Sequence, residues 1–210
     1  MRPVPEEDFD HAVETVVSNL SGIASLYPSQ LEVLRSLVVE QDNLFVTQPT
    51  NSGKTIPVVI LPEVLKELNS MGHEFPPVPR VLFITALNSI QISLVESITS
   101  LGIGCAAVTR DNVDQVLSSE VSVLLVGPEM MKVPSVTKSL LKFRTTFVLK
   151  CLDEAHLSRY FCLIGWLVQL CHTQGYGFSL NAKNILFCKI ISKKHLFCKI
   201  STISVQFVHN

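Results

Sequence analysis

Charge is scarce in this sequence. Asp, Glu, Lys and Arg make up only 17% of its 210 residues, and 17 basic against 18 acidic side chains leave a formal net charge of −1. That balance excludes a globally basic nucleic-acid binder, though not a local basic groove. The six cysteines include no Cys-x-x-Cys pair, which excludes the usual zinc patterns and leaves no obvious disulfide framework. Read as free thiols, they point to a reducing, intracellular compartment: the nucleus in a eukaryote, otherwise the cytoplasm. No apolar run approaches the ~20 residues that cross a bilayer. The longest, Tyr160 to Cys171, is interrupted by Gln169, so no membrane partner is expected. Glu6, Glu7, Asp8 and Asp10 near the start are unlike a signal peptide.

What the chain does have is apolar content. At 47% it suffices for a real core, and the length suits one generous domain or two small ones. The organising stretch is Leu44-Phe45-Val46-Thr47-Gln48-Pro49-Thr50-Asn51-Ser52-Gly53-Lys54-Thr55. Leu44 to Val46 reads as a buried strand, and Ile56 to Leu68 has helical spacing. Strand, polar loop ending in Gly-Lys-Thr, then helix is the context of a phosphate-binding loop. Backbone N–H groups of Asn51 to Thr55 would wrap a phosphate, helped by the positive end of the helix. Gly53 allows close approach. Lys54 would reach the β- and γ-phosphates and the Thr55 hydroxyl would ligate Mg²⁺. One position departs from the common pattern: Gln48 stands where the opening Gly is usual.

The rest of the chain alternates. Asp8 to Leu20 is a predicted helix with Phe9, Ala12, Val13, Val16, Val17 and Leu20 on one face, ended by Gly22. Leu26-Tyr27-Pro28-Ser29-Gln30 opens another, running to about Glu40, with Pro28 in its first turn. A carboxamide can donate to and accept from one adenine edge at once, which makes Gln30 a candidate adenine reader and Tyr27 a stacking partner. Without a phosphate loop beside them they would be an ordinary surface Gln and half-buried Tyr. Apolar strands follow at Arg80 to Thr85, Cys105 to Val108, Val121 to Val126 and Thr146 to Leu152, with helices at Asn88 to Leu101, Val113 to Leu117 and Ser135 to Lys142. Continuous apolar strands alternating with helices predict a parallel sheet covered on both faces. Ligands of such sheets sit at the carboxyl ends of the strands.

The fifth strand ends on Asp153-Glu154-Ala155-His156. Asp153 would hold Mg²⁺ opposite Thr55, Glu154 would orient the attacking water, and His156 would sense the γ-phosphate side. Lys54, Asp153 and Glu154 are thus the candidate catalytic residues. Thr50, Asn51, Ser52, Gly53, Lys54, Thr55, Asp153 and His156 join Tyr27 and Gln30 as the candidate ATP contacts. Thr55 and Asp153 are expected to meet across neighbouring strand tips around a shared metal ion.

Together these motifs resemble the first RecA-like domain of a superfamily-two helicase, and most of all the RecQ family. Leu26 to Gln30 resembles that family's adenine motif, Phe-Arg-x-x-Gln. Gln48 to Thr55 resembles its Met-Pro-Thr-Gly-Gly-Gly-Lys-Ser loop. Thr85 to Ile90 sits where the family carries Pro-Leu before a helix bearing on DNA. Val126-Gly127-Pro128-Glu129 resembles the Thr-Pro-Glu motif near the DNA backbone, and Leu152 to His156 matches the Asp-Glu-Ala-His box. The resemblance spans about Leu26 to Ser158. It departs at Tyr27, where Arg is usual, at Asn51 and Ser52, which replace glycines, and at Ala86, which replaces Pro. It implies an α/β, three-layer P-loop NTPase sandwich with a mainly parallel sheet, incomplete at the C-terminus. It implies ATP and Mg²⁺ as cofactors and DNA as partner, in an ATP-dependent 3'-5' DNA helicase acting in repair and recombination.

The domain division expected is an N-terminal extension over 1–24, the ATP-binding domain over 25–158 and an atypical tail over 159–210. In the tail the family's aromatic-rich loop leaves only a faint echo at Leu157 to Phe161, and its Ser/Thr-Ala-Thr strand is not recognisable. Leu186-Phe187-Cys188-Lys189-Ile190 recurs as Leu196-Phe197-Cys198-Lys199-Ile200. Ile185 to Ile191 is a candidate to fill the place of the missing strand. The tail reads as the product of truncation or of an altered reading of the gene. Its basic cluster, Lys189, Lys193, Lys194, His195 and Lys199, reads first as a solvated face. The arginine-bearing second RecA-like domain is not recognisable, so weak or absent ATPase and no unwinding are expected of this chain alone. The alternatives are a regulatory or decoy module that binds nucleic acid or a protein, and an ATPase whose site is completed in trans by a second domain or subunit.

Overall fold

The computed structural model describes residues 3–40, 43–47, 52–85, 88–152, 185–189 and 205–209. Seven strands form one sheet in the order β3-β4-β2-β5-β6-β1-β7, and every neighbouring pair is parallel. They are β1 (Asn43–Thr47), β2 (Arg80–Ile84), β3 (Cys105–Ala107), β4 (Val123–Val126), β5 (Phe147–Leu152), β6 (Ile185–Lys189) and β7 (Val205–His209). The helices are α1 (Glu6–Asn19), α2 (Pro28–Arg35), α3 (Thr55–Ser70), α4 (Asn88–Ser100), α5 (Val113–Ser118) and α6 (Pro134–Lys142). A π-helical turn, Ser36–Glu40, continues α2. The predicted α/β sandwich with a parallel sheet is the fold observed, and its elements begin and end within a few residues of the sequence reading.

β2 and β4 are apolar on both sides because both sides are covered. Val81 and Phe83 of β2, and Val123 and Leu125 of β4, pack into a core shared with α1, α2 and α3. Their alternate neighbours, Leu82, Ile84, Leu124 and Val126, pack into a second core with Val113, Val116 and Leu117 of α5 and Val136 and Leu140 of α6. Helix α3 lies deepest. Val58, Val59, Ile60, Leu61, Val64, Leu65 and Leu68 are all buried, so it is apolar on nearly every face, as a helix roofed by others must be. Helix α1 lies over it. His73 Nε2 meets Asp8 Oδ2 at 2.9 Å, and Arg35 holds Glu6 and Asp10 at 3.2 and 3.1 Å while lying 5.5 Å over the Phe9 ring.

Two features lay beyond the sequence reading. The first is strand order. β1 and β5 were expected to be neighbours, and they are not: β6 lies between them, with Leu44↔Leu186 on one side and Cys151↔Leu186 on the other. The stretch Ile185–Lys189 therefore occupies the position for which Ile185 to Ile191 was the candidate. β7 adds a further parallel strand on the outer side of β1, where nothing in the sequence marked one.

The second is Arg80. It opens β2 at 3% exposure, and among the described residues its hydrogen bonds go to carbonyls and a hydroxyl rather than to a carboxylate. Its Nε donates to the Val121 carbonyl at 3.2 Å and its Nη1 to Thr146 Oγ1 at 3.1 Å. Nη2 donates to the carbonyls of Leu117 and Ser119 at 3.1 and 2.6 Å. One guanidinium thus joins the end of α5 and the approaches to β4 and β5, at the amino edge of the sheet. The C-terminal carbonyls of α5 suit a cation, and the Phe143 ring lies 5.8 Å away. Burial lowers the Arg80 pKa from its ordinary value. Among the described residues no helix is long and apolar enough to cross a membrane.

Two outcomes follow from these contacts. Arg80→Met would take a donor from three carbonyls, that of Leu117 in a buried place, and should cost roughly 3 kcal/mol, read as a melting point lower by roughly 10 °C. The Cys105 thiol, on edge strand β3, is pushed up by burial to about 12 from 9.0. The folded state therefore favours the protonated thiol. Its contribution should be level below about pH 9 and decline as pH rises toward 12, a slope that Cys105→Ser should remove from the melting profile.

Candidate functional site

Because all strands run the same way, β1, β2, β4 and β5 release their following loops at one edge. The register is close. Leu152, the last residue of β5, pairs with Phe187 of β6, which pairs with Phe45 of β1. β5 thus ends opposite Phe45, two residues before β1 ends at Thr47, and two strand spacings away, about 10 Å. Of the residues predicted for this edge, Ser52, Gly53, Lys54 and Thr55 are described. Thr50, Asn51, Asp153, Glu154 and His156 lie outside the described residues.

The turn into α3 is built on Gly53. Its φ is +74°, a left-handed value that costs other residues about 1–2 kcal/mol. Its carbonyl accepts the Ile56 N–H at 3.0 Å, which starts the helix. Lys54 follows with helical dihedrals and Thr55 is the first residue of α3. Ser52 to Thr55 are all part-exposed. The sequence thus presents a lysine and a hydroxyl at the amino end of a long buried helix, facing the edge where β5 also ends. Such a terminus favours an anion through the N–H groups of its first turn and its dipole.

Gln30 reaches this turn from α2. Its Oε1 accepts the Tyr27 N–H at 2.9 Å, the reach-back half of a capping box. Its Nε2 donates to the Gly53 carbonyl at 3.1 Å. The side chain is only 4% exposed. A Cβ placed on Gly53 would land on that amide nitrogen. Position 53 therefore excludes a side chain twice over, by its dihedral and by the approach of Gln30. Tyr27 is the reverse case: it is 68% exposed, with its ring in solvent beside the turn rather than half-buried.

Farther along the edge, Gly127 ends β4 and a one-turn helix, Met130–Lys132, follows. The Glu129 carboxylate folds back over Gly127, where any Cβ would meet it. Thr85, after β2, is buried, and its N–H donates to the Val126 carbonyl at 3.2 Å. On α4, Gln91 is buried and its amide nitrogen has no partner among the described residues. Its only sequence signal is a polar residue within an apolar helix, and the sequence reading did not single it out. No group of His, Cys, Asp and Glu capable of holding a metal occurs among the described residues.

Gly53→Ala should lower stability by at least about 1 kcal/mol from the dihedral alone, and by more through the Gln30 contact. A melting curve without any ligand reads this directly.

No family model matches the chain, and no curated protein matches it by sequence. Solved structures do. The crystal structure of the DUF1998 helicase MrfA bound to DNA and AMPPNP superposes with a TM-score of 0.65 at 15% identity, over 100% of this chain and 30% of that one. A second crystal structure of MrfA gives a TM-score of 0.53 at 18% identity, over 89% and 30%. This chain thus spans about a third of the length of its structural neighbours, and it has the fold of one segment of a helicase.

Proposed function

We propose that the chain is a nucleoside-triphosphate-binding helicase core, RecQ-like in its motifs, with ATP as the nucleotide that the resemblance implies. The observation that carries this is the Gly53-Lys54-Thr55 turn. It combines a left-handed glycine, a lysine and a helix-opening hydroxyl at the sheet edge where β5 ends one residue before Asp153. Phosphates would lie against the first turn of α3. Lys54 would bring its charge to the β- and γ-phosphates. Tyr27 offers an exposed ring for the base.

Thr55 and Asp153 are the residues that would hold Mg²⁺. The donor set fits that ion: one hydroxyl and one carboxylate, with water and phosphate oxygens completing an octahedron. The ends of β1 and β5 lie at one sheet edge, two strand spacings apart with β6 between them. The metal would neutralise charge on the phosphates. Glu154 would hold the attacking water and accept its proton, and His156 would respond to the γ-phosphate side. DNA is the proposed partner, along the edge that carries α4 and the Gly127 turn. That the structural neighbour is described as bound to DNA and AMPPNP favours both ligands. The domain division at 25–158 belongs to the same proposal.

The arginine finger of such enzymes typically supplies a factor of 10³–10⁵ in rate. A chain spanning a third of a helicase should therefore bind nucleotide, turn it over slowly or not at all, and separate no strands. Mg-ATP at about one hundred times its Kd should add about 2.7 kcal/mol of stability, a melting shift of several degrees. Lys54→Ala should abolish that shift. A shift that survives in Lys54→Ala would exclude the phosphate site, and strand displacement by the chain alone would exclude its dependence on a second unit.

A further inference from the structure

We infer that two segments of this chain compete for the place of β6: residues 185–189, which hold it, and residues 195–199, which nearly repeat them. β7 decides between the two.

The repeat is the starting point. Leu186-Phe187-Cys188-Lys189-Ile190 recurs without change as Leu196-Phe197-Cys198-Lys199-Ile200. The second copy lies outside the described residues. The first is set between β1 and β5. Leu186, Phe187, Cys188 and Lys189 pair with Leu44, Phe45, Val46 and Thr47 on one side, and Leu186 and Phe187 pair with Cys151 and Leu152 on the other. In the same register the second copy would bring the same residue type to each of those positions. The backbone bonds of a parallel ladder are the same for any residue but proline. The slot therefore tells the copies apart at one position. Ile185 pairs with Lys150, and His195 would take its place. Isoleucine is a favoured strand residue, and the full span of measured strand preferences corresponds to roughly a fivefold factor in an equilibrium. The slot by itself favours the first copy by about that factor.

β7 adds a larger bias through chain length. Residues 190–204, fifteen in all, connect β6 to β7, and a crossover between parallel strands takes about a dozen residues or more. With the second copy in the slot only residues 200–204 would remain, five in all. Five cannot return from the carboxyl edge to the amino edge, where Val205 pairs with Asn43. Occupancy by residues 195–199 and the pairing of β7 thus exclude each other. β7 pairs with β1 from Val205 to His209, and each ladder hydrogen bond is worth roughly a two- to tenfold factor, so the first copy dominates while β7 is in place. Either copy would keep β1 and β5 two strand spacings apart, and the edge that carries Gly53, Lys54 and Thr55 is built in both states. What changes is the outer side of β1. It is paired in one state; in the other it is an open row of N–H and C=O groups, the kind of edge that accepts a strand from another chain.

Hydrogen exchange and melting of the 210-residue chain test this, with exchange read on peptides whose flanks tell the copies apart. Wild type should protect 185–189 and 205–209 well above 195–199; no protection at 185–189 would overturn the inference at once. Phe187→Asp disables the first copy. The protein should stay folded, with protection moved to 195–199 and lost from 205–209. Phe197→Asp alone should leave 185–189 protected as before. The double variant should lose protection at both copies and melt below either single variant. A Phe187→Asp chain that unfolds, or melts as low as the double variant, would overturn the inference, because the second copy would have failed to take the slot. Protection at 195–199 together with 205–209 would overturn the exclusion between them. A second variant leaves the slot untouched: Phe207→Pro with Val208→Pro. Successive strand residues turn their N–H groups to opposite sides, so one of the two removes a donor that faces β1. Released from β7, the copies should share the slot within about fivefold, seen as partial protection of both. Protection still confined to 185–189 would overturn the role of β7.

Discussion

Parallel pairing is the constraint from which the rest follows. With seven strands running one way, every connection must cross from the carboxyl edge back to the amino edge, and helices are the usual means. The two edges then acquire different characters. The amino edge is where chain segments arrive, and it is tied by structural contacts: Arg80 donating to three carbonyls and a threonine, and Lys66 held between Glu63 and the buried hydroxyl of Ser122. The carboxyl edge is where helices begin, so backbone N–H groups and the positive ends of dipoles gather there. The Gly53 turn belongs to that edge by topology alone.

The helical layer over the sheet is what makes the turn specific. α3 is apolar almost throughout and cannot be displaced from the sheet without exposing a row of Val, Ile and Leu. Its amino end is thus held in place by its own burial. α2 lies across it, and Gln30 carries the position of α2 into the backbone of Gly53. A polar side chain inside an otherwise apolar contact must be satisfied or it costs stability, and here both groups of the carboxamide are bonded. The same rule makes Gln91 notable, since its amide nitrogen has no partner among the described residues.

Much of the architecture was legible in the residues. Runs such as Val81-Leu82-Phe83-Ile84 and Val123-Leu124-Leu125-Val126 permit little other than doubly covered strands. Gly102 marks the end of α4 because that helix closes on a left-handed glycine. Gly53-Lys54-Thr55 announced a turn into a helix, and the turn is there. The strand between β1 and β5 was legible only as a gap to be filled. Ile185 to Lys189 is apolar enough to fill it, but a parallel strand finds its neighbours through long crossovers, and short-range pattern does not encode that pairing. β7 went unmarked for the same reason.

The side-chain pattern by itself determined the elements, their alternation and the edge at which Gly53, Lys54 and Thr55 gather, because burial period and glycine dihedrals are local properties. Only the tertiary structure decided that β6 separates β1 from β5, that an arginine bonded to carbonyls fastens the opposite edge, and that Gln30 bonds Tyr27 and Gly53. Each of those is a partnership between residues distant in the chain or a choice among competing hydrogen bonds. Such choices are made by packing, which admits one partner and leaves no space for another.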